Sequence, residues 1–97
     1  MNYKELLANA PDHDTPEFLE YLRANNTVVY EDSYWLVIEN HKYHKPGKIW
    51  YTAFFTRANG FIILETLLAK YGHLEWRRKA GSKQTVRRFH FHMYEPE

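Results

Sequence analysis

The segment formed by residues 84–94 alternates two kinds of side chain with a period of two. Successive side chains of an extended segment point to opposite faces. One face therefore carries apolar groups that can seal a core, and the other carries imidazoles and polar groups. The two sets are Phe89, Phe91 and Met93 on one face, and Gln84, Arg88, His90 and His92 on the other. The pattern predicts a β-strand that buries the first set and opens its histidines onto a groove.

The histidine side of this segment is open to two interpretations. Neighbours on one face of a strand lie about 6.5–7 Å apart, so Arg88, His90 and His92 could converge on one anion such as a phosphate. The simpler alternative is the solvated face of a half-buried antiparallel strand. A His-x-His motif alone is too short to decide between them.

Composition limits the class of protein. The 97 residues are 44% apolar and 18% aromatic, which favours one folded domain over residues 1–97. The chain has no cysteine, which excludes disulfides, thiol catalysis and thiolate zinc sites. The longest apolar run, residues 34–38, is far too short to span a membrane, and no segment resembles a signal peptide. We expect a cytoplasmic protein with no membrane partner.

Charge is distributed unevenly along the chain, although the formal net charge is only +1. Residues 1–40 hold eight acidic and two basic side chains, whereas residues 41–97 hold eleven basic and four acidic ones. The basic residues are densest at 77–79, at Lys83 and at 87–88. They predict attraction to the phosphates of a nucleotide or a nucleic acid, with a solvated charged surface as the alternative.

Local signals predict the order of the helices and strands. Thr15 and Pro16 are suited to begin a helix that ends near Asn25, and Gly72 is suited to end a second helix that starts at Asn59 or Gly60. The predicted strands cover residues 27–31, 34–39, 48–55, 74–79 and 84–94. This order favours an α+β fold, a five-stranded and mainly antiparallel sheet with an N-terminal helix and a central helix packed on it.

Two motifs together resemble the histidine-triad family of nucleotide hydrolases and transferases. The family signature, Gln-Ser-Val followed after one residue by three alternating histidines, is similar to residues 84–93, with Arg88 in place of the first histidine. The family's early hairpin and the proline-containing loop after it are similar to residues 28–40 and 46–50, without a gap in the spacing. Asn40 stands where the family has an acid that contacts ribose.

The resemblance implies an HIT-like fold and covalent nucleotidyl transfer. His90 would attack a phosphorus atom and form a nucleotidyl-histidine that water or another acceptor resolves. The implied catalytic residues are His90, His92 and Arg88, and the implied substrate-binding residues are Gln84, Thr85, Asn40 and Lys48. The implied partner is a nucleotide or a nucleotide conjugate, with no cofactor. Arg88 can clamp a phosphate, but it cannot pass a proton to a leaving group.

The chain also departs from the family pattern. The stretch between Lys48 and Gln84 is shorter than in typical members, which leaves both a monomer and a homodimer open. The family's asparagine before the signature would align near Arg77. A catalytically impaired module is therefore the alternative, one that binds nucleic acid or a protein partner through a basic aromatic sheet surface. The residues of that surface would be Trp50, Tyr51, Trp76, Arg77, Arg78 and Arg87.

A metal site is the last alternative. His41 and His44 could join His90 and His92 as imidazole ligands of zinc or another transition metal. The nearby lysines and arginines disfavour a bound cation, and we expect no metal.

Overall fold

The computed structural model describes residues 8–39, 50–57, 61–77 and 89–95. The elements are helix α1 (Pro16–Asn25), strands β1 (Val28–Glu31), β2 (Trp35–Glu39) and β3 (Trp50–Phe55), helix α2 (Glu65–Tyr71), and strands β4 (Glu75–Arg77) and β5 (His90–Tyr94). In these ranges no helix is both long and apolar enough to cross a bilayer.

The five strands form one sheet in the order β1-β2-β3-β5-β4, and every neighbouring pair is antiparallel. The predicted α+β class, the antiparallel sheet and the order of the elements are confirmed. Strand β5 is the last described strand in sequence, yet it lies between β3 and β4. On each face of the sheet, the side chains of β5 therefore have neighbours from both β3 and β4.

Helix α1 covers one face of the sheet at β2 and β3. Pro16 occupies its first turn as predicted, and its buried side chains are Phe18, Leu19 and Leu22. They pack with Leu36, Ile38 and Phe54 from the sheet. The Thr15 hydroxyl does not cap the helix, because it donates to the carbonyl oxygen of Asp12 at 2.7 Å.

Helix α2 belongs to the core on the opposite face. Its buried residues Leu67 and Tyr71 pack in one cluster with Trp35, Val37, Ala53, Phe55 and Met93. Trp35 is fully buried at the centre of this cluster. Its ring stacks on Phe91 with centroids 5.3 Å apart, and its indole N–H donates to the carbonyl oxygen of Ile63 at 2.6 Å.

The predicted start of the second helix is wrong. The helix begins at Glu65, and residues 61–64 are not helical. The bond from Trp35 to the Ile63 carbonyl explains part of this, because the sheet takes an acceptor that a longer helix would use for its own ladder. Gly72 ends the helix as predicted, and a side chain there would clash with the carbonyl oxygen of Leu68.

Asp32 organises the turn between β1 and β2. One carboxylate oxygen accepts from the backbone N–H groups of Tyr34 and Trp35 at 2.7 and 2.8 Å. The other accepts from the hydroxyls of Tyr30 and Thr66 at 2.6 and 2.7 Å. Burial raises the pKa of Asp32, but these four hydrogen bonds outweigh it and hold the pKa below its ordinary value. Because Thr66 lies in α2, the turn is tied to that helix.

Replacing Asp32 by alanine should lower the free energy of unfolding by about 2 kcal/mol. Four donors lose their acceptor, and water can satisfy only some of them. The stability that the carboxylate adds is present above its unfolded pKa of about 3.9 and is lost as the pH falls through the lower folded pKa. Urea unfolding at pH 7 and at acid pH checks both effects.

The matched control is Glu31→Gln. Glu31 is the neighbouring carboxylate, and it pairs with Arg23 on the exposed surface. Such pairs contribute about 0.2–1 kcal/mol. An Asp32 variant that is no less stable than the Glu31 variant would contradict the structural role of the turn.

Candidate functional site

The histidines lie on the face of the sheet that also carries the α1 contacts. In β5, His90 stands opposite Phe54 and His92 opposite Thr52 of β3. On its other side His92 stands opposite Arg77 of β4. We call this part of the sheet, on β3, β5 and β4, the histidine face. The predicted placement of the histidines opposite to Met93 is confirmed, since Met93 is buried in the core with α2.

The two imidazoles contact each other and their neighbours on β3. Their ring centroids are 5.6 Å apart, with the planes nearly perpendicular. His90 is stacked on Phe54 at 5.6 Å. The Nδ1 atom of His92 lies 3.1 Å from the hydroxyl oxygen of Thr52. These contacts fix how both rings sit on the sheet.

The prediction that both histidines open onto a groove is wrong. His90 is 4% exposed and His92 is 5% exposed. Alternation in a sequence assigns a side chain to a face, but it does not say what packs over that face. The three apolar side chains of this strand are also buried to different degrees, although all three were predicted to be buried. Met93 is fully buried, whereas Phe89 and Phe91 are only partly buried.

The hydrogen bond between His92 and Thr52 determines what the imidazole can offer. If the hydroxyl donates to Nδ1, then Nε2 carries the ring proton and is a donor; if Nδ1–H donates to the hydroxyl, Nε2 is an acceptor. In both cases the contact with Thr52 fixes the orientation of the ring, and the tautomer sets the role of Nε2. Such orientation of an imidazole by a second group is a common arrangement in catalytic sites.

Beyond His92, three side chains form a layered group that we call the aromatic ladder: Trp50, Tyr94 and Arg77. The rings of Trp50 and Tyr94 are stacked, with centroids 4.3 Å apart and planes 17° apart. The Arg77 guanidinium lies over the Tyr94 ring, 5.6 Å from its centroid. A hydrogen bond to Glu75 is the main reason that the pKa of Tyr94 is raised, and burial adds to it. Glu75 stands opposite Tyr94 in the sheet.

The proposed RNA surface is only partly brought together. Trp50 and Arg77 share the histidine face. Tyr51 and Trp76 lie on the other face, in the cluster that includes Trp35 and Met93. Trp76 donates its indole N–H to the Tyr71 carbonyl oxygen at 3.1 Å. A single strand therefore could not stack on all the predicted aromatics at once.

Several predicted site residues lie outside the described residues. They are Gln84, Thr85, Arg88, Asn40 and Lys48, together with His41, His44, Arg78 and Arg87 of the alternative sites. Of the seven site residues that the resemblance implies, the structure brings together His90 and His92. Within the described ranges there is no group of three or more histidine, aspartate or glutamate side chains that could hold a metal ion.

The structure adds site residues that the sequence motifs do not indicate. Thr52 orients His92, Phe54 stacks on His90, and Tyr94 joins Trp50 to Arg77. The signal that could have found them is the pairing register of β3 with β5. Period-two alternation gives the face of each residue, but not which residue stands opposite it.

Comparison with known proteins gave no match, whether with family models, curated proteins or solved structures. The histidine-triad resemblance therefore rests on the sequence motifs alone. The α+β fold with its five-stranded antiparallel sheet rests on the structure.

Proposed function

We propose that the protein binds the phosphate of a nucleotide or nucleotide conjugate at the histidine face and transfers the nucleotidyl group through His90. The observation that supports this most is the pair of adjacent imidazoles, one of them oriented by a threonine hydroxyl. Two imidazoles at this spacing can both reach the oxygens or the phosphorus of one phosphoryl group. The basic residues of the C-terminal half add a favourable field for an anion.

In the first step a neutral nitrogen of His90 attacks the phosphorus atom. A phosphorus–nitrogen bond forms, and the bond between phosphorus and the leaving group breaks with its electron pair on the leaving group. In the second step water or another acceptor attacks the same phosphorus, gives up a proton and releases His90. Through Nε2, His92 would bond a phosphate oxygen while Thr52 holds its other nitrogen.

The leaving group should depart most easily as an anion. Arg88, two residues before His90 in the sequence, carries no proton that it can transfer near neutral pH. A phosphate or pyrophosphate anion needs no proton to leave, whereas an amine does. We therefore expect mononucleoside polyphosphates to react faster than nucleoside phosphoramidates.

Burial sets a condition on this chemistry. A substrate can reach two imidazoles that are about 95% covered only if the covering atoms move. Binding should therefore be coupled to a conformational change, as in enzymes that close over or open for their substrate.

The test is intact-protein mass spectrometry after brief incubation with mononucleoside polyphosphates and, separately, with nucleoside phosphoramidates. We expect a nucleotidyl adduct on the protein, with more of it from the polyphosphates. Isothermal calorimetry with non-hydrolysable analogues measures binding without turnover. The proposal would be rejected if no adduct forms and no nucleotide binds at millimolar concentration.

A second candidate function is nucleotide or nucleic-acid binding without catalysis. It is favoured by the aromatic ladder, since stacked aromatics with an adjacent guanidinium are suited to bases. If nucleotides bind but no substrate gives an adduct on the protein, this candidate would be supported over the first.

A further inference from the structure

We infer that the aromatic ladder is the nucleoside subsite of the histidine face, so that the preferred ligand is a nucleotide and not a simple phosphate ester. This inference rests on the proposed phosphate site at His90 and His92. It adds a second subsite at the pair Trp50 and Tyr94, next to the pair Thr52 and His92 on the same face, and this subsite would stack a planar base.

The ladder has the composition that stacks planar groups. Trp50 and Tyr94 present aromatic surface on the histidine face and both remain partly exposed. Arg77 is exposed, and the central carbon of its guanidinium group lies over the Tyr94 ring, 5.6 Å from the centroid. Nucleobases stack on aromatic rings and on guanidinium planes alike.

Glu75 decides between a base-bearing group and a second phosphate. Glu75 is exposed, stands opposite Tyr94 and hydrogen-bonds with its hydroxyl. A carboxylate beside Arg77 opposes binding of a further anion by like-charge repulsion. The same carboxylate can accept hydrogen bonds from ribose hydroxyls or from the amino group of a base. The charge arrangement therefore favours the nucleoside part of a ligand.

The spacing of the two subsites also suits one nucleotide. Tyr94 and His92 are same-face neighbours on β5, so their Cα atoms are about 6.5–7 Å apart. Arg77 of the ladder stands opposite His92 in the sheet and extends over Tyr94, so the ladder begins directly beside His92. A phosphate at His92 would thus bring the attached nucleoside to the ladder without a long linker.

The test compares three probes on the full chain by calorimetry: a nucleoside 5′-monophosphate, ribose 5-phosphate and inorganic phosphate. The parent should bind the nucleotide at least about tenfold more tightly than ribose 5-phosphate, because base stacking supplies the difference. Trp50→Leu should remove most of that preference while leaving phosphate binding unchanged. Arg77→Gln, at an exposed position, is the second variant, which keeps the test valid if Trp50→Leu does not fold.

Two matched controls separate the ladder from general effects. Tyr51→Leu changes the neighbouring β3 aromatic on the other face of the sheet. Arg57→Gln removes another exposed guanidinium that lies over a tyrosine ring, 5.0 Å from the centroid of Tyr34. Neither control should change the preference for the nucleotide.

The outcomes distinguish the subsite from the phosphate site. Equal affinity of the parent for nucleotide and ribose 5-phosphate, or a preference that survives both ladder variants, would overturn the nucleoside subsite. If the preference is lost in the ladder variants but phosphate binding is unchanged in His92→Asn, the ladder stands and the phosphate assignment fails. If no phosphate compound binds, a free nucleoside is titrated and tryptophan fluorescence is followed. Quenching that Trp50→Leu removes would support the nucleoside subsite. No quenching would reject both the nucleoside subsite and the phosphate site.

Discussion

Replacing Trp35 by alanine should lower the free energy of unfolding by about 3–5 kcal/mol, the range for a large aromatic in a packed core. The indole is fully buried and contacts Phe55, Phe89 and Phe91 through its ring faces and edges. Its N–H also satisfies the carbonyl oxygen of Ile63. The substitution removes the ring contacts and leaves that acceptor without its donor. Chemical denaturation followed by far-UV circular dichroism measures the loss.

The matched control for this prediction is Trp76→Ala. Trp76 belongs to the same cluster and also donates its indole N–H to a backbone carbonyl, but it is only partly buried. Trp76→Ala should lower the free energy of unfolding clearly less than Trp35→Ala does, because less apolar surface returns to water. Equal losses for the two variants would mean that Trp35 is not the centre of this core.

Replacing His90 by asparagine should abolish the nucleotidyl adduct and reduce turnover below detection. Asparagine keeps a hydrogen-bonding group at this position of β5, but it has no nitrogen nucleophilic enough to attack phosphorus. Nucleotide binding should be largely preserved, since His92, Thr52 and the ladder remain. The measurement combines intact-protein mass spectrometry with a hydrolysis assay.

The controls for His90→Asn are His73→Asn and His92→Asn. His73 is exposed and lies outside the histidine face, so its replacement should change neither binding nor the adduct. His92→Asn should weaken phosphate binding and slow adduct formation without removing the nucleophile. Because both face histidines are buried, thermal unfolding must show that each variant is folded. An adduct that persists in a folded His90→Asn protein would reject His90 as the nucleophile.

The sequence was sufficient for the order of the elements and for the two faces of β5. The hairpin of β1 and β2 and the first helix follow from local signals, since turn residues, Pro16 and the apolar spacing act within a few positions. The alternation in β5 correctly separated Met93 from the histidines. These features depend on short-range geometry, which sequence patterns encode directly.

The features that the sequence did not predict depend on contacts between distant segments. The start of α2 reflects a hydrogen bond between residues 35 and 63, which no local propensity contains. The burial of His90 and His92 depends on what packs against the sheet, and the roles of Thr52 and Tyr94 depend on the register of β3 with β5. The sequence indicated Trp50 and Arg77 for a basic aromatic surface but not Tyr94 between them, because the three residues are separated along the chain and meet only in the sheet.

The position of β5 between β3 and β4 has a consequence for synthesis of the chain on the ribosome. Until residues 90–94 have left the exit tunnel, β3 lacks its outer neighbour and β4 lacks its partner in the sheet. A nascent chain therefore exposes an unpaired strand edge, which is a template for association with other chains. The same late event completes the histidine face, so a ribosome-bound intermediate that has not paired β5 should be aggregation-prone and should lack the proposed nucleotide site.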